Sequence, residues 1–235
     1  PFRQCAQVLE RSQPQAASSH TTIHRLVKKA AEPYLKAEDA EVKQLYETGE
    51  IPIGEDRAIR RLFVEADGTM IALQREKERK AEIKIGIAYE GWEEISKGRY
   101  KVTEKTVYSA MTSGEDFWEK LSLKLARKYD LPRVEEIIGG GDGAGWVKSG
   151  VNLLGGKYQL DRFHLRRALL RSLSYQKELI SPVYQACNEG NMAKVNALLI
   201  EARNKSRGEE REGIEQLMRY LRENADGLED YRICL

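Results

Sequence analysis

Two aspartates, each followed by glycine, stand where predicted strands run out. Asp67 closes the run LFVEADG, and Asp142 closes EEIIGGGDG. Asp-Gly is a common turn dipeptide, so the plain reading is two independent loop aspartates. The sharper reading is a pair of strands that each end by holding a carboxylate in the open. If the two strands are neighbours, both carboxylates emerge at one edge of the sheet, where like charges repel and call for a cation between them. Magnesium prefers hard oxygen ligands and is commonly held by one or two carboxylates plus substrate phosphates. Two such ions roughly 4 Å apart can activate an attacking oxygen and stabilise a leaving one in phosphoryl transfer. The glycines beside Asp142 would let a phosphate backbone come close.

A second pair, Asp161 and His164, lies in KYQLDRFHLRRALLR at a predicted strand-to-helix junction. A single histidine such as His164 is by default a capping or packing residue, and Asp161 is either its partner or the N-cap of the helix. One histidine and one aspartate are thin support for direct metal ligation. A basic stripe follows at Arg166, Arg167 and Arg171. Lys148, Arg166 and Arg167 are candidate phosphate contacts, with solvated surface charge as the plain alternative.

Several elements must position these residues. RRLFVEADG and TMIALQRE read as extended. AEIKIGIAYEGWEE places Ile83, Ile85, Ile87 and Tyr89 on one face, and RYKVTEKTVYSAM alternates again. Period-2 alternation makes this region three antiparallel strands. A helix follows over SGEDFWEKLSLKLARKYD, capped at Ser113, with Phe117, Leu121 and Leu125 as its buried stripe and Pro132 at its exit. RVEEIIGGGD is a short strand, AGWVKSGVNLL a short helix and KYQLDRFH a further strand. From His164 onward the pattern is helical. Consecutive antiparallel strands followed by strand–helix alternation predict an α/β fold, a mixed sheet with helices on its faces, in the order of the ribonuclease H-like fold. Fold alone does not give function.

Ahead of the sheet, CAQVLER reads as a short helix and SQPQ breaks it. A second helix runs through SSHTTIHRLVKKAAE, capped by Ser18 or Ser19 and ended by Pro33. Ile23, Leu26, Val27 and Ala30 form its apolar face, while Ser19, His20, Thr22, Arg25 and Lys29 lie on the other. Such a pair has the helix-turn-helix layout, in which the second helix enters the major groove N-terminal residues first. An ordinary helical hairpin with a solvated face has the same pattern. LKAEDAEVKQLYETGE reads as a charged linker helix.

The chain has 235 residues, 41% of them apolar and 32% charged, with a formal net charge of +2. That balance suits a folded chain with a heavily charged surface and does not by itself announce a nucleic-acid binder. The three cysteines, Cys5, Cys187 and Cys234, are far apart, and no CxxC pair or Cys/His cluster exists. A zinc site or disulfide framework is therefore not expected, and a reduced cytoplasmic setting is. Neither a signal peptide nor a membrane-length apolar run is visible. The chain begins at Pro1, has its first methionine at Met70 and ends on the apolar run YRICL, which reads as a fragment cut at both ends.

Taken together, LFVEADGTMIALQRE, IIGGGDGAGWVK and YQLDRFHLRRAL resemble the DDE transposases of bacterial insertion sequences. Within them the chain is similar to a family long described as uncharacterised and since read as transposases, related to the Mutator-like group. The resemblance covers nearly the whole chain. It implies a ribonuclease H-like catalytic core, two divalent ions (Mg2+ or Mn2+) and an acidic triad. Asp67 matches the first acid and Asp142 the second. In Mutator-like relatives a Cys or Asp, two residues and a His follow the next strand, and Asp161-Arg162-Phe163-His164 fits that pattern at the site edge. A helical insertion precedes the last catalytic helix in such proteins, and 165–225 suits it.

The implied organisation is a helix-turn-helix segment over 1–33, a helical linker over 34–58, the first part of the catalytic core over 59–164, the insertion, and a return over 226–235. The third acid, a Glu in relatives, is expected beyond Leu235; neither Glu223 nor Glu229 is assigned to it. Trp92, Trp118 and Trp146 lie outside the insertion, so the DNA-stacking Trp of some relatives has no match. The implied reaction is hydrolysis at transposon ends followed by strand transfer, with water and then a 3′-hydroxyl as nucleophiles and no covalent intermediate. The implied partner is double-stranded DNA, the active form a homo-oligomer without membrane association, and the location the bacterial cytoplasm at the nucleoid. A catalytically incomplete remnant or repressor that only binds transposon ends is the competing expectation. A ribonuclease H-like nuclease acting on another nucleic acid is a third, and the predicted helix-turn-helix argues against it.

Overall fold

The computed structural model describes residues 2–50, 54–74 and 78–231. The chain divides into two compact units, Pro1–Ile53 and Gly54–Leu235.

The first unit holds helix α1 (Phe2–Ser12), a single 3-10 turn at Pro14–Ala16, and helix α2 (His20–Thr48). Ser19 caps α2, its hydroxyl accepting from the Thr22 amide at 3.1 Å. Phe2 packs on His24 with ring centroids 5.0 Å apart. Contrary to the sequence reading, Pro33 does not end the helix: α2 passes through it, and the expected linker helix is the same helix continued. Proline removes one backbone bond and costs about 3 kcal/mol in a helix interior. Strong helix formers on both sides, LVKKAAE before and LKAEDAEVKQL after, carry the helix across. It ends where Gly49 takes the left-handed conformation, φ 71°. The apolar stripe is not buried either, since Leu26 and Val27 are exposed and Val42 is the one buried residue of α2.

The second unit is built on a five-stranded sheet in the order β5-β2-β1-β6-β7. Its strands are β1 (Arg61–Ala72), β2 (Lys80–Tyr89), β5 (Thr106–Ala110), β6 (Glu136–Gly141) and β7 (Lys157–Leu160). β1, β2 and β5 pair antiparallel, while β1, β6 and β7 pair parallel. Between β2 and β5 the chain makes a separate hairpin of β3 (Gly91–Ser96) and β4 (Arg99–Thr103). The three antiparallel strands expected before the first core helix are thus five. Glu104 divides β4 from β5 with φ 51°, a left-handed conformation unusual for a residue with a side chain. Arg57 at 2.9 Å and Lys128 at 3.4 Å take its carboxylate, which holds the bend. Trp92 fixes the base of the hairpin, edge-on to Phe63 at 4.8 Å.

Alternation decides what each face of this sheet does. Leu62, Val64 and Ala66 of β1 are buried in one core with Phe117, Leu121 and Leu125 of helix α3 (Gly114–Ala126). Ser113 caps α3 through the Asp116 amide at 3.0 Å. Helix α4 (Gly145–Leu153) lies on the same core and directly on β6. A Cβ at Gly139 would stand 2.1 Å from Val151, and one at Gly141 would stand 2.5 Å from Val147. Those two glycines are therefore spent on close helix–strand packing rather than left open to a phosphate backbone.

The other face carries Phe63, Tyr89 and Ile138, with Tyr231 packed beside them. Past β7 the chain forms a helical body of α5 (Arg162–Ser172), α6 (Ile180–Asn188), α7 (Met192–Lys205) and α8 (Gly208–Glu223). Leu165, Leu169, Val195, Leu199 and Leu217 are in its core, joined by Leu160 of β7. The fold is mixed α/β. Among the described residues no helix is long and apolar enough to cross a membrane. The stretch 232–235, expected to lead toward a last catalytic helix, lies outside the described residues.

Candidate metal centre

β1 and β6 are parallel neighbours, paired from Arg61↔Glu136 to Glu65↔Gly140. Where β6 stops, β1 continues alone against β2, and Asp67 lies on that overhang opposite Ile85. Asp67 is therefore not at a strand end, and Asp67-Gly68 is not a turn. Ten consecutive β2 partners keep β1 extended to Ala72. Asp142 is the first residue after β6. Both carboxylates still reach one edge, because the parallel pairing that would flank Asp67 has already ended.

Asp67, Asp142, Asp161 and His164 line one cavity of about 330 Å³, together with Glu65, Ile85 and Gly140. Each carboxylate is fixed by a nearby amide. Gly68 N–H donates to Asp67 Oδ1 at 2.8 Å, and Ala144 N–H donates to Asp142 Oδ1 at 2.9 Å. Among the described residues neither aspartate has a Lys or Arg within ion-pair distance, and the second oxygen of each accepts no protein hydrogen bond. Asp161 plays both parts that the sequence left open. Its Oδ1 caps α5 through the His164 amide at 2.9 Å and meets His164 Nδ1 at 3.1 Å. Its own amide donates to the Gly141 carbonyl at 2.8 Å, which ties the junction to β6.

Comparison with known proteins places the chain. A model of an uncharacterised protein family, UPF0236, matches residues 1–235. The chain belongs to the UPF0236 family. The chain is similar to the UPF0236 protein TTE0402 of Caldanaerobacter subterraneus subsp. tengcongensis, 30% identical over 185 residues, covering 76% of this chain and 36% of that protein. It is also similar to the UPF0236 protein in the vanSb 3′ region of Streptococcus gallolyticus, 26% identical over 204 residues, covering 84% of this chain and 42% of that protein. This UPF0236 chain thus spans about two fifths of the length of the curated relatives it matches.

The remaining expected site residues fall elsewhere. Arg166 and Arg167 are exposed on α5, just beyond His164. Lys148 is engaged inside this UPF0236 chain: its ammonium donates to the Glu223 carbonyl, pairs with Asp226 at 3.1 Å and lies 5.0 Å from the Tyr158 ring centre. It therefore braces α4 against the end of α8. Ser19 spends its hydroxyl on the cap and on Thr22 Oγ1 at 3.0 Å, while His20, Arg25 and Lys29 are exposed on α2.

Sequence reasoning missed Glu65. It lies two residues before Asp67, on the same strand face, and accepts from Tyr89 Oη at 2.6 Å. The signal was present, since period 2 puts Glu65 and Asp67 side by side. Burial first, then the Glu65 contact, pushes the Tyr89 phenol far above its ordinary range, so it is a fixed donor at neutral pH. Tyr220 was also missed. Its hydroxyl donates to the Asp142 carbonyl at 2.9 Å from a helix 78 residues away, and no local signal marks such a partner.

Proposed function

We propose that this chain carries the first two acids of a DDE-type DNA transposase, on a sheet of the ribonuclease H-like kind. The observation that carries the reading is the convergence of Asp67 and Asp142, from adjacent parallel strands, on one cavity. The strand order β5-β2-β1-β6-β7, antiparallel then parallel, supports the fold assignment. The donor set suits hard divalent cations, Mg2+ or Mn2+, because among the described residues both aspartates offer an uncommitted oxygen and no Lys or Arg pairs with either. Two such ions, when bound, would polarise the phosphoryl oxygen and lower the pKa of the attacking water.

Asp67 and Asp142 would hold the ions, each kept in orientation by its own amide donor. Asp161 fixes the His164 ring through Nδ1 and leaves Nε2 uncommitted among the described residues. Arg166 and Arg167, exposed on the next turns, would meet DNA phosphates. The exposed Arg25 and Lys29 of α2 would engage transposon ends. The reaction is hydrolysis at those ends, then attack of the freed 3′-hydroxyl on target DNA, within a homo-oligomer at the nucleoid.

The competing reading is a chain that only binds DNA ends and acts as a repressor. The deciding experiment is end cleavage by a full-length family protein carrying Asp67→Asn or Asp142→Asn. Cleavage should fall by about 10³-fold or more, since metal assistance is worth several kcal/mol of the barrier, while end binding is retained. Cleavage at the wild-type rate in either variant contradicts the assignment.

A further inference from the structure

We propose that the C-terminal turn of α8 sets the Asp142 carboxylate, with Tyr220 and Asn224 as its positioning residues. Two phenols donate to successive carbonyls at the end of β6. Tyr158 Oη reaches the Gly141 oxygen at 3.1 Å, and Tyr220 Oη reaches the Asp142 oxygen at 2.9 Å. The next residue, Gly143, has φ 100°, and a Cβ there would stand 2.7 Å from Asn224 Oδ1. Asn224 is 2% exposed, and its amide donates to the Tyr220 carbonyl at 2.8 Å, so the two residues form one hydrogen-bonded corner. Lys148 closes the seam from the other side through the Glu223 carbonyl and Asp226.

This corner matters because the carboxylate is tied to the loop it grips. Asp142 Oδ1 accepts from Ala144 N–H, so the side chain points where the Asp142–Ala144 backbone sends it. Holding the Asp142 carbonyl and filling the space beside Gly143 removes the freedom that a loop of alternating glycines would otherwise have. The helical body is therefore a brace for the sheet-edge site, acting through residues 78 positions away in sequence.

Functionally the inference rests on reading Asp142 as a metal-site carboxylate, but its test needs no metal. Amide hydrogen exchange would be followed by NMR on the whole chain, metal-free, in wild type, Tyr220→Phe, Asn224→Ala and Gln176→Leu. Gln176 bonds Ser206 and Glu210 within the helical body, so Gln176→Leu controls for general loosening. The Ala144 amide should exchange about tenfold faster in Tyr220→Phe and Asn224→Ala, the ratio expected for losing one buried hydrogen bond. Gln176→Leu should leave it unchanged. An unchanged Ala144 rate in both corner variants, or equal acceleration in Gln176→Leu, overturns the inference. Failure of the metal reading would appear instead as Mn2+ binding indifferent to Asp142→Ala.

Discussion

The two faces of the five-stranded sheet are made by the same strands and differ in kind. On β1, Leu62, Val64 and Ala66 are 0%, 0% and 4% exposed beneath α3 and α4. Their alternate neighbours Phe63, Glu65 and Asp67 face the other way, toward an aromatic cluster and the acidic cavity. One face is spent on burial, which at about 25 cal/mol per Å² is the main source of stability. The other buries the smaller Phe63–Tyr89–Ile138 cluster and carries Glu65 and Asp67 along the cavity. Stability and proposed chemistry are thus separated by a single residue step along one strand.

That contrast can be broken by mutation, and the largest effects should lie on the helix-covered face. Trp118 is 2% exposed and stands against Gly150, where a Cβ would fall 1.9 Å from its indole. Trp118→Ala should cost about 3–5 kcal/mol in a denaturant titration. Asp67→Asn and Asp142→Asn should each change the same transition by less than about 0.5 kcal/mol. A large loss of stability in either would show that the carboxylate is structural.

A smaller effect sharpens the comparison with the N-terminal unit. Leu121 of α3 is 0% exposed and Leu26 of α2 is 56% exposed, although both sit on an apolar helical stripe. Leu121→Ala should cost about 2–5 kcal/mol, while Leu26→Ala should cost less than about 0.5 kcal/mol. The smallest effect concerns Tyr220. Its folded pKa is raised from near 10 to about 12, so the stability it contributes is present below pH 10 and lost as pH rises through 12. Tyr220→Phe should flatten the fall in thermal midpoint over that alkaline window. Thiol labelling offers a check on the helical core: Cys5 is exposed and should react at once, while buried Cys187, its thiol pushed up to about 11, should react only on unfolding.

Much of the second unit was legible in the sequence because its signals are local. Period-2 runs marked β1 and β2, Ser113 marked the start of α3, and IIGGGD marked β6. The errors came where a neighbour overruled a local sign. Asp67-Gly68 reads as a turn until β2 supplies partners on past it. Pro33 reads as a stop until the helix formers around it are weighed. The glycines beside Asp142 read as an opening for phosphate, yet two of them, Gly139 and Gly141, are filled by Val151 and Val147, while Gly145 has open space beside it. Lys148 reads as a free cation, yet Asp226 holds it. The Tyr220 contact could not be read at all, since only the folded chain brings α8 to the end of β6.

Asp67 and Asp142 are proposed to hold a divalent cation together. The most direct test of that proposal is a Mn2+ titration of this chain by calorimetry, in wild type, Asp67→Asn and Asp142→Asn. Saturable binding is expected of the wild type, and its loss in both variants, with all three proteins equally folded. Binding that either substitution leaves unchanged, or a wild type that does not bind at all, would contradict it.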